Sequence, residues 1–128
     1  MAKRKISILR LNYEFARVYR RGKYLSGRYV VVHYMKKKKP DIRVGVSCSR
    51  KVKGAVRRNR RKRLLREAYR ALETQLNPGY DLILIARNWE DDVKCAAVTA
   101  DMEKLFRRVG LIPERMEPMN TPEVSPDG

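Results

Sequence analysis

Cysteine, histidine and tryptophan are scarce in this chain, whose 128 residues include two Cys, one His and one Trp. Cys48 and Cys95 have no second Cys or His close by in the sequence, which excludes a zinc site of ordinary spacing. Their isolation argues for a reducing, cytoplasmic setting, and both read as small buried hydrophobes. Long apolar runs are missing too. No segment approaches the roughly 20 uninterrupted apolar residues of a membrane span, and the basic start MAKRKISILRLNYEF is too interrupted for a signal peptide. Acids are also few: 14 Asp and Glu face 31 Lys and Arg, giving a net charge of +17 and a pI near 10.4. So much like charge weakens the compact state by self-repulsion, so a polyanionic partner is expected. Nucleic acid and an anionic membrane surface are the two candidates.

What is present suffices for one compact domain, since 43% of the residues are hydrophobic and the length suits a single core. The charge is concentrated. Residues 50–70 hold eleven Lys and Arg against Glu67 alone, and Lys36 to Lys39 are consecutive. The chain beyond residue 70 is net negative. Asn12 suits an N-cap, and Phe15, Val18 and Tyr19 form a short helical stripe ending near Gly22. The stretch 28–35, rich in β-branched and aromatic residues, reads as a strand with Tyr29, Val31, His33 and Met35 on one face. Pro40 punctuates a turn before a second strand over 42–48. The apolar run 80–86 reads as a strand buried on both faces. Between these strands, residues 54–75 fit a helix stopped by Asn77-Pro78-Gly79. A last helix is expected over 91–109, with Glu90, Asp91 and Asp92 as helix-start acids rather than a metal site. Its buried stripe is Val98, Met102, Leu105, Phe106 and Val109, while Trp89 packs at the strand end. Residues 1–110 therefore form one α+β domain, and the Pro-rich stretch 111–128 reads as a disordered tail.

The central helix carries the sharpest signal. Leu65, Ala68, Leu72 and Leu76 fall within an arc of about 80° and supply its core face. Asn59, Arg63, Arg66 and Arg70 fall within about 60° on another side, flanked by Arg60 and Lys62. The ridge is roughly 15 Å long, comparable to a few phosphate spacings along a strand. The planar fork of Arg meets two phosphate oxygens at once. A merely solvated face is disfavoured, because like charges at i,i+4 repel and only Glu67 offers relief. Arg57, Arg58 and Arg61 project toward the apolar side, so the first two turns are expected to extend beyond the core into solvent or RNA. With Lys51 and Lys53 just upstream, they join the expected RNA-binding set.

From Arg43-Val-Gly-Val-Ser through Lys51-Val-x-Gly-Ala-Val-x-Arg-Asn-Arg-x-Lys-Arg-Leu-Leu-Arg-Glu, the chain resembles the protein subunit of bacterial ribonuclease P. The resemblance includes Asn12-x-x-Phe15-x-x-Val18-Tyr19-x-x-Gly22, Arg28-Tyr-x-Val and Pro78-Gly79-Tyr80-Asp81, and covers about residues 7–109. It implies an α-β-β-β-α-β-α fold, a two-layer α/β sandwich similar to the second domain of ribosomal protein S5. It also implies a left-handed crossover between two parallel strands, against the usual rule. The implied partners are a catalytic RNA and precursor tRNA, with no membrane and no obligate protein partner. The protein would assist removal of the 5′ leader, having no catalytic residue and binding no metal alone, with Mg2+ held mainly by the RNA. The family's basic motif falls on Arg58, Asn59, Arg60, Lys62, Arg63 and Arg66. Its leader-binding cleft falls on Phe15, Tyr19, Val31 and His33, where His33 stands in place of a frequent Tyr.

Two rivals remain to be weighed. A basic ribosomal protein would share the size, charge and basic helix. A protein-only nuclease would need clustered carboxylates or a His-based acid–base pair on one surface. With one His on a strand and the acids mostly away from the ridge, the nuclease is rejected.

Overall fold

The computed structural model describes residues 6–8 and 12–112. A three-residue strand β1 (Ile6–Ile8) precedes helix α1 (Asn12–Arg21), strands β2 (Lys23–Ser26), β3 (Val30–Lys36) and β4 (Ile42–Cys48), and helix α2 (Ala55–Leu72). A 3-10 turn (Glu73–Gln75), strand β5 (Tyr80–Ala86) and helix α3 (Cys95–Val109) complete the fold. After β1 the order is the expected α-β-β-β-α-β-α. The five strands form one sheet in the order β1-β4-β5-β3-β2. β4 runs parallel to β1 and β5, while β3 is antiparallel to β5 and β2. Parallel β4 and β5 are joined by α2, whose length of about 27 Å carries the chain back along the strands.

Alternation along the strands sorts the sheet into two faces. Val30, Val32, Ile42, Val44, Cys48, Leu82, Leu84 and Ala86 point one way. They pack under Leu65, Ala68, Tyr69 and Leu72 of α2 and Val98, Met102, Leu105 and Phe106 of α3. On the opposite face α1 adds a partial third layer to the expected two. There Val18 and Ile83 are buried, with Phe15, Met35 and Ile85 packed around them. Gly22 is required where α1 leaves: its N–H donates to Val18 O at 2.8 Å, and a Cβ would collide with the Tyr34 carbonyl.

An ion network ties α1 to the sheet on this second face. Buried Asp81 accepts from Arg43 at 2.8 Å and Lys37 at 2.7 Å, Arg43 reaches on to Glu14, and Lys37 also meets Asp41 at 2.9 Å. Burial alone would raise the Asp81 carboxyl. The hydrogen bonds from Arg43 and Lys37 more than offset it and hold it below the usual carboxylate range.

The structure revises several sequence boundaries. The strand expected from residue 28 starts at Val30, because the backbone N–H groups of Arg28, Tyr29 and Val30 donate to the Asp101 carboxylate on α3. The helix expected from Asp91 starts at Cys95. Asp91 instead accepts from Arg61 at 2.7 Å and Arg57 at 3.0 Å, so it acts as an ion-pair partner rather than a helix-start acid. Trp89 does pack at the strand end, its indole N–H donating to Tyr29 O at 2.7 Å. Cys48 is buried as expected, whereas Cys95 is only half-buried. The packed chain also runs past Gly110: Leu111 and Ile112 are buried in the main core. The tail reading for residues 113–128 and the capping side chain of Asn12 lie outside the described residues.

Candidate nucleic-acid interface

α2 begins at Gly54, whose φ of +90 is open to glycine and strained for other residues. No acid sits in its first turn. The helix then divides its cations between two roles. Asn59, Arg60, Arg63, Arg66 and Arg70 are exposed and Lys62 is half-buried, so the ridge faces solvent along α2. None of these side chains forms an ion pair among the described residues. Lys51 and Lys53 are exposed just ahead of the helix.

Arg58 and Arg61 do not extend into solvent as expected, because backbone and carboxylate acceptors at the strand ends draw them inward. Arg61 is 1% exposed. Its guanidinium donates to the carbonyls of Trp89 and Arg57 and to Asp91, and lies 5.4 Å from the Trp89 ring centroid. Arg58 is half-buried and donates to the carbonyls of Ser49 at 2.7 Å, Cys48 at 3.2 Å and Val52 at 3.3 Å. Arg57 stays exposed but pairs with Asp91. These three arginines pin the start of α2 to the ends of β4 and β5. Hydrogen bonds from Arg61 first, then from Arg57, keep the exposed Asp91 carboxyl below its usual range. Arg61 therefore leaves the RNA-binding set, and Arg58 and Arg57 act first as anchors.

The second candidate surface lies on the α1 face of the sheet. Tyr19, 44% exposed, meets His33 edge-on with ring centroids 4.8 Å apart. They touch, so a base cannot enter between them and would lie across their outer faces. Burial pushes the His33 imidazole below its ordinary pKa, which favours the neutral ring. Phe15 is half-buried against Val18 and Ile83 and supports the floor rather than forming a free platform. Tyr24, missed in the sequence, is 66% exposed and stacks on His33 at 5.4 Å and 26°. It sits opposite His33 in the β2–β3 register. The signal that could have located it is the short strand framed by Gly22 and Gly27. Val31, two residues from His33, borders a hollow of about 490 Å³ shared with Ser49, Lys51, Ile85, Ala86, Arg87 and Asn88. Ser49, on the rim of that hollow, also accepts from Arg58 at the start of α2 through its backbone carbonyl.

No group of three or more His, Cys, Asp or Glu that could hold a metal comes together among the described residues. Asp81 and Asp91 are already satisfied by basic side chains.

Known proteins are similar to this chain in sequence and in fold. Residues 3–110 match the family model for Ribonuclease P. The ribonuclease P protein component of Pelotomaculum thermopropionicum is 39% identical over 103 residues, covering 80% of this chain and 92% of that protein. That of Clostridium botulinum strain Loch Maree is 41% identical over 104 residues, covering 80% and 94%. Among solved structures, the ribonuclease P protein from Thermotoga maritima superimposes with a TM-score of 0.70 at 30% identity, covering 84% of this chain and 97% of that one. The chain belongs to the ribonuclease P protein-component family.

Proposed function

We propose that this protein is the non-catalytic subunit of an RNA-based ribonuclease P, binding the catalytic RNA through α2 and the precursor-tRNA leader on the α1 face. The observation that carries this reading is the solvent-facing ridge Asn59, Arg60, Arg63, Arg66 and Arg70 on α2, within the residues that match the family model. Arg forks there meet phosphate oxygens and release counterions, the main source of affinity for nucleic acid. Tyr19, His33 and Tyr24 present ring faces to unpaired bases, the usual mode of single-strand RNA recognition.

The division of labour is that the RNA holds the Mg2+ ions that activate water, while the protein binds, orients and offsets phosphate repulsion. Magnesium chemistry on this protein would need carboxylates free to ligate, and the most buried carboxylate, Asp81, is committed to Arg43 and Lys37. The reaction belongs to the cytoplasm, where precursor tRNA is processed.

The test is cleavage of 5′-end-labelled precursor tRNA by the purified protein alone, by its catalytic RNA alone, and by both. Site-specific cleavage is expected only when the RNA is present, and the protein should enhance it at low magnesium. Cleavage at the mature 5′ end by RNA-free protein would refute the proposal.

A further inference from the structure

The run Lys36 to Lys39 takes no part in the surfaces described above. It ends β3 and enters the turn to β4, at the opposite end of the strands from the start of α2. That places it roughly 20 Å along the sheet from the hollow at Ser49.

The turn is held in a fixed shape. The N–H of Lys37 donates to Gly79 O at 2.9 Å, and Gly79 lies against the carbonyls of Lys37 and Lys39. The Lys37 side chain turns inward to Asp81 and Asp41. One lysine of the four is thus consumed internally, and Lys36, Lys38 and Lys39 are left exposed. Beside them, the ends of α1 and α3 frame a hollow of about 430 Å³ lined by Arg21, Lys23, Lys36, Tyr34 and Tyr80. No acidic residue lines it. Arg21, Lys23 and Lys36 are exposed and form no ion pair among the described residues, while Tyr34 and Tyr80 are half-buried. Arg21, Lys23 and Lys36 around one hollow, with Lys38 and Lys39 exposed on the adjoining turn, attract an extended polyanion more than a scattered surface would.

We propose that this end of the sheet is a second RNA-backbone contact, so that the protein grips RNA at two places about one strand length apart. The proposal rests on the RNA-partner reading above. Phosphates would meet Lys23, Lys36 and Arg21, with the tyrosine hydroxyls able to donate to a phosphate oxygen.

The test compares two double variants of the full chain that remove equal charge. Lys23→Gln/Lys36→Gln removes two of the hollow's three cations; Lys94→Gln/Lys104→Gln removes exposed lysines elsewhere. Binding to in vitro transcribed catalytic RNA from the same organism is measured against salt concentration, with thermal melts to match folding. Near 0.1 M salt the hollow variant should bind about 10- to 60-fold more weakly, with a salt slope shallower by one to two, on the order of one per lost contact. The control variant should bind nearly as the wild type. Combined with Arg63→Ala/Arg66→Ala, the hollow double should lower the slope additively, as distant sites do. Equal behaviour of the two lysine doubles would overturn the second contact while leaving the ridge intact. A silent ridge double would overturn the RNA-partner reading as well. Loss of binding to phosphatidylserine-containing vesicles with RNA affinity unchanged would mark a membrane contact and overturn the proposal.

Discussion

Two residues separate Arg61 from Arg63, a rotation of about 200° on the helix, and that turn decides what each cation does. Arg61 is buried with its guanidinium on Trp89 O, Arg57 O and Asp91, while Arg63 faces solvent. Arg61→Ala would leave the Trp89 carbonyl unpaired and a gap beside its ring, costing about 3 kcal/mol. In a domain of this size that should lower Tm by more than about 10 °C. Arg63→Ala should leave Tm within about 3 °C, since exposed sites away from contacts change stability by about 0.5 kcal/mol or less. Thermal melts of both variants check the contrast. A helical wheel drawn from sequence cannot make this distinction, because it registers charge and not the distant carbonyl and carboxylate that receive it. Asp81 makes a further forecast at the same scale. Its folded carboxyl binds a proton less tightly than the unfolded one, so its contribution to stability is complete above the ordinary carboxylate pKa of about 4. That contribution is lost as the pH falls through the lower folded value. Denaturant titrations should therefore show stability falling below about pH 4, and Asp81→Asn should be less stable at neutral pH with a flatter acid arm. An unchanged acid arm in that variant would assign the acid sensitivity to other carboxylates.

At the scale of elements, β4 and β5 have the limits their sequences suggest, because their β-branched and apolar stretches begin after Pro40-Asp41 and after Pro78-Gly79. The starts of β3 and α3 were not legible. Each is set by a side chain far away in sequence, Asp101 capturing the N–H groups of residues 28–30 and Arg61 capturing Asp91. Tyr24 was missed because β2 is only four residues long and shows too little alternation to declare a strand. The pairing of α1 with β3 came from the family resemblance, which set Phe15 and Tyr19 against Val31 and His33, and it gives the cleft its test. Tyr19 is 44% exposed, so Tyr19→Ala should leave the fold nearly as stable as the wild type. A stacked base contributes on the order of 1–3 kcal/mol, so the holoenzyme should bind precursor tRNA roughly 5- to 150-fold more weakly. Mature tRNA, which lacks the leader, should bind almost unchanged. Equal loss for both tRNAs together with a lowered Tm would mean that Tyr19 only supports α1.

At the scale of the whole molecule, a net charge of +17 sits on a fold whose internal cations are already matched. Arg43, Lys37 and Arg61 meet Asp81, Asp41, Glu14 and Asp91. The excess is therefore displayed outward, on α2 and at the lysine turn, where only an external polyanion can neutralise it. The sequence revealed the amount and clustering of this charge, but not which cations the fold consumes. The most direct test of the central claim is the salt dependence of binding to the catalytic RNA for the wild type and Arg63→Ala/Arg66→Ala. If the ridge contacts phosphate, the variant should bind more weakly and its log–log slope should be shallower by about one to two, with Tm unchanged or slightly raised. Wild-type affinity with an unchanged slope would contradict the account, leaving the ridge as solvated surface.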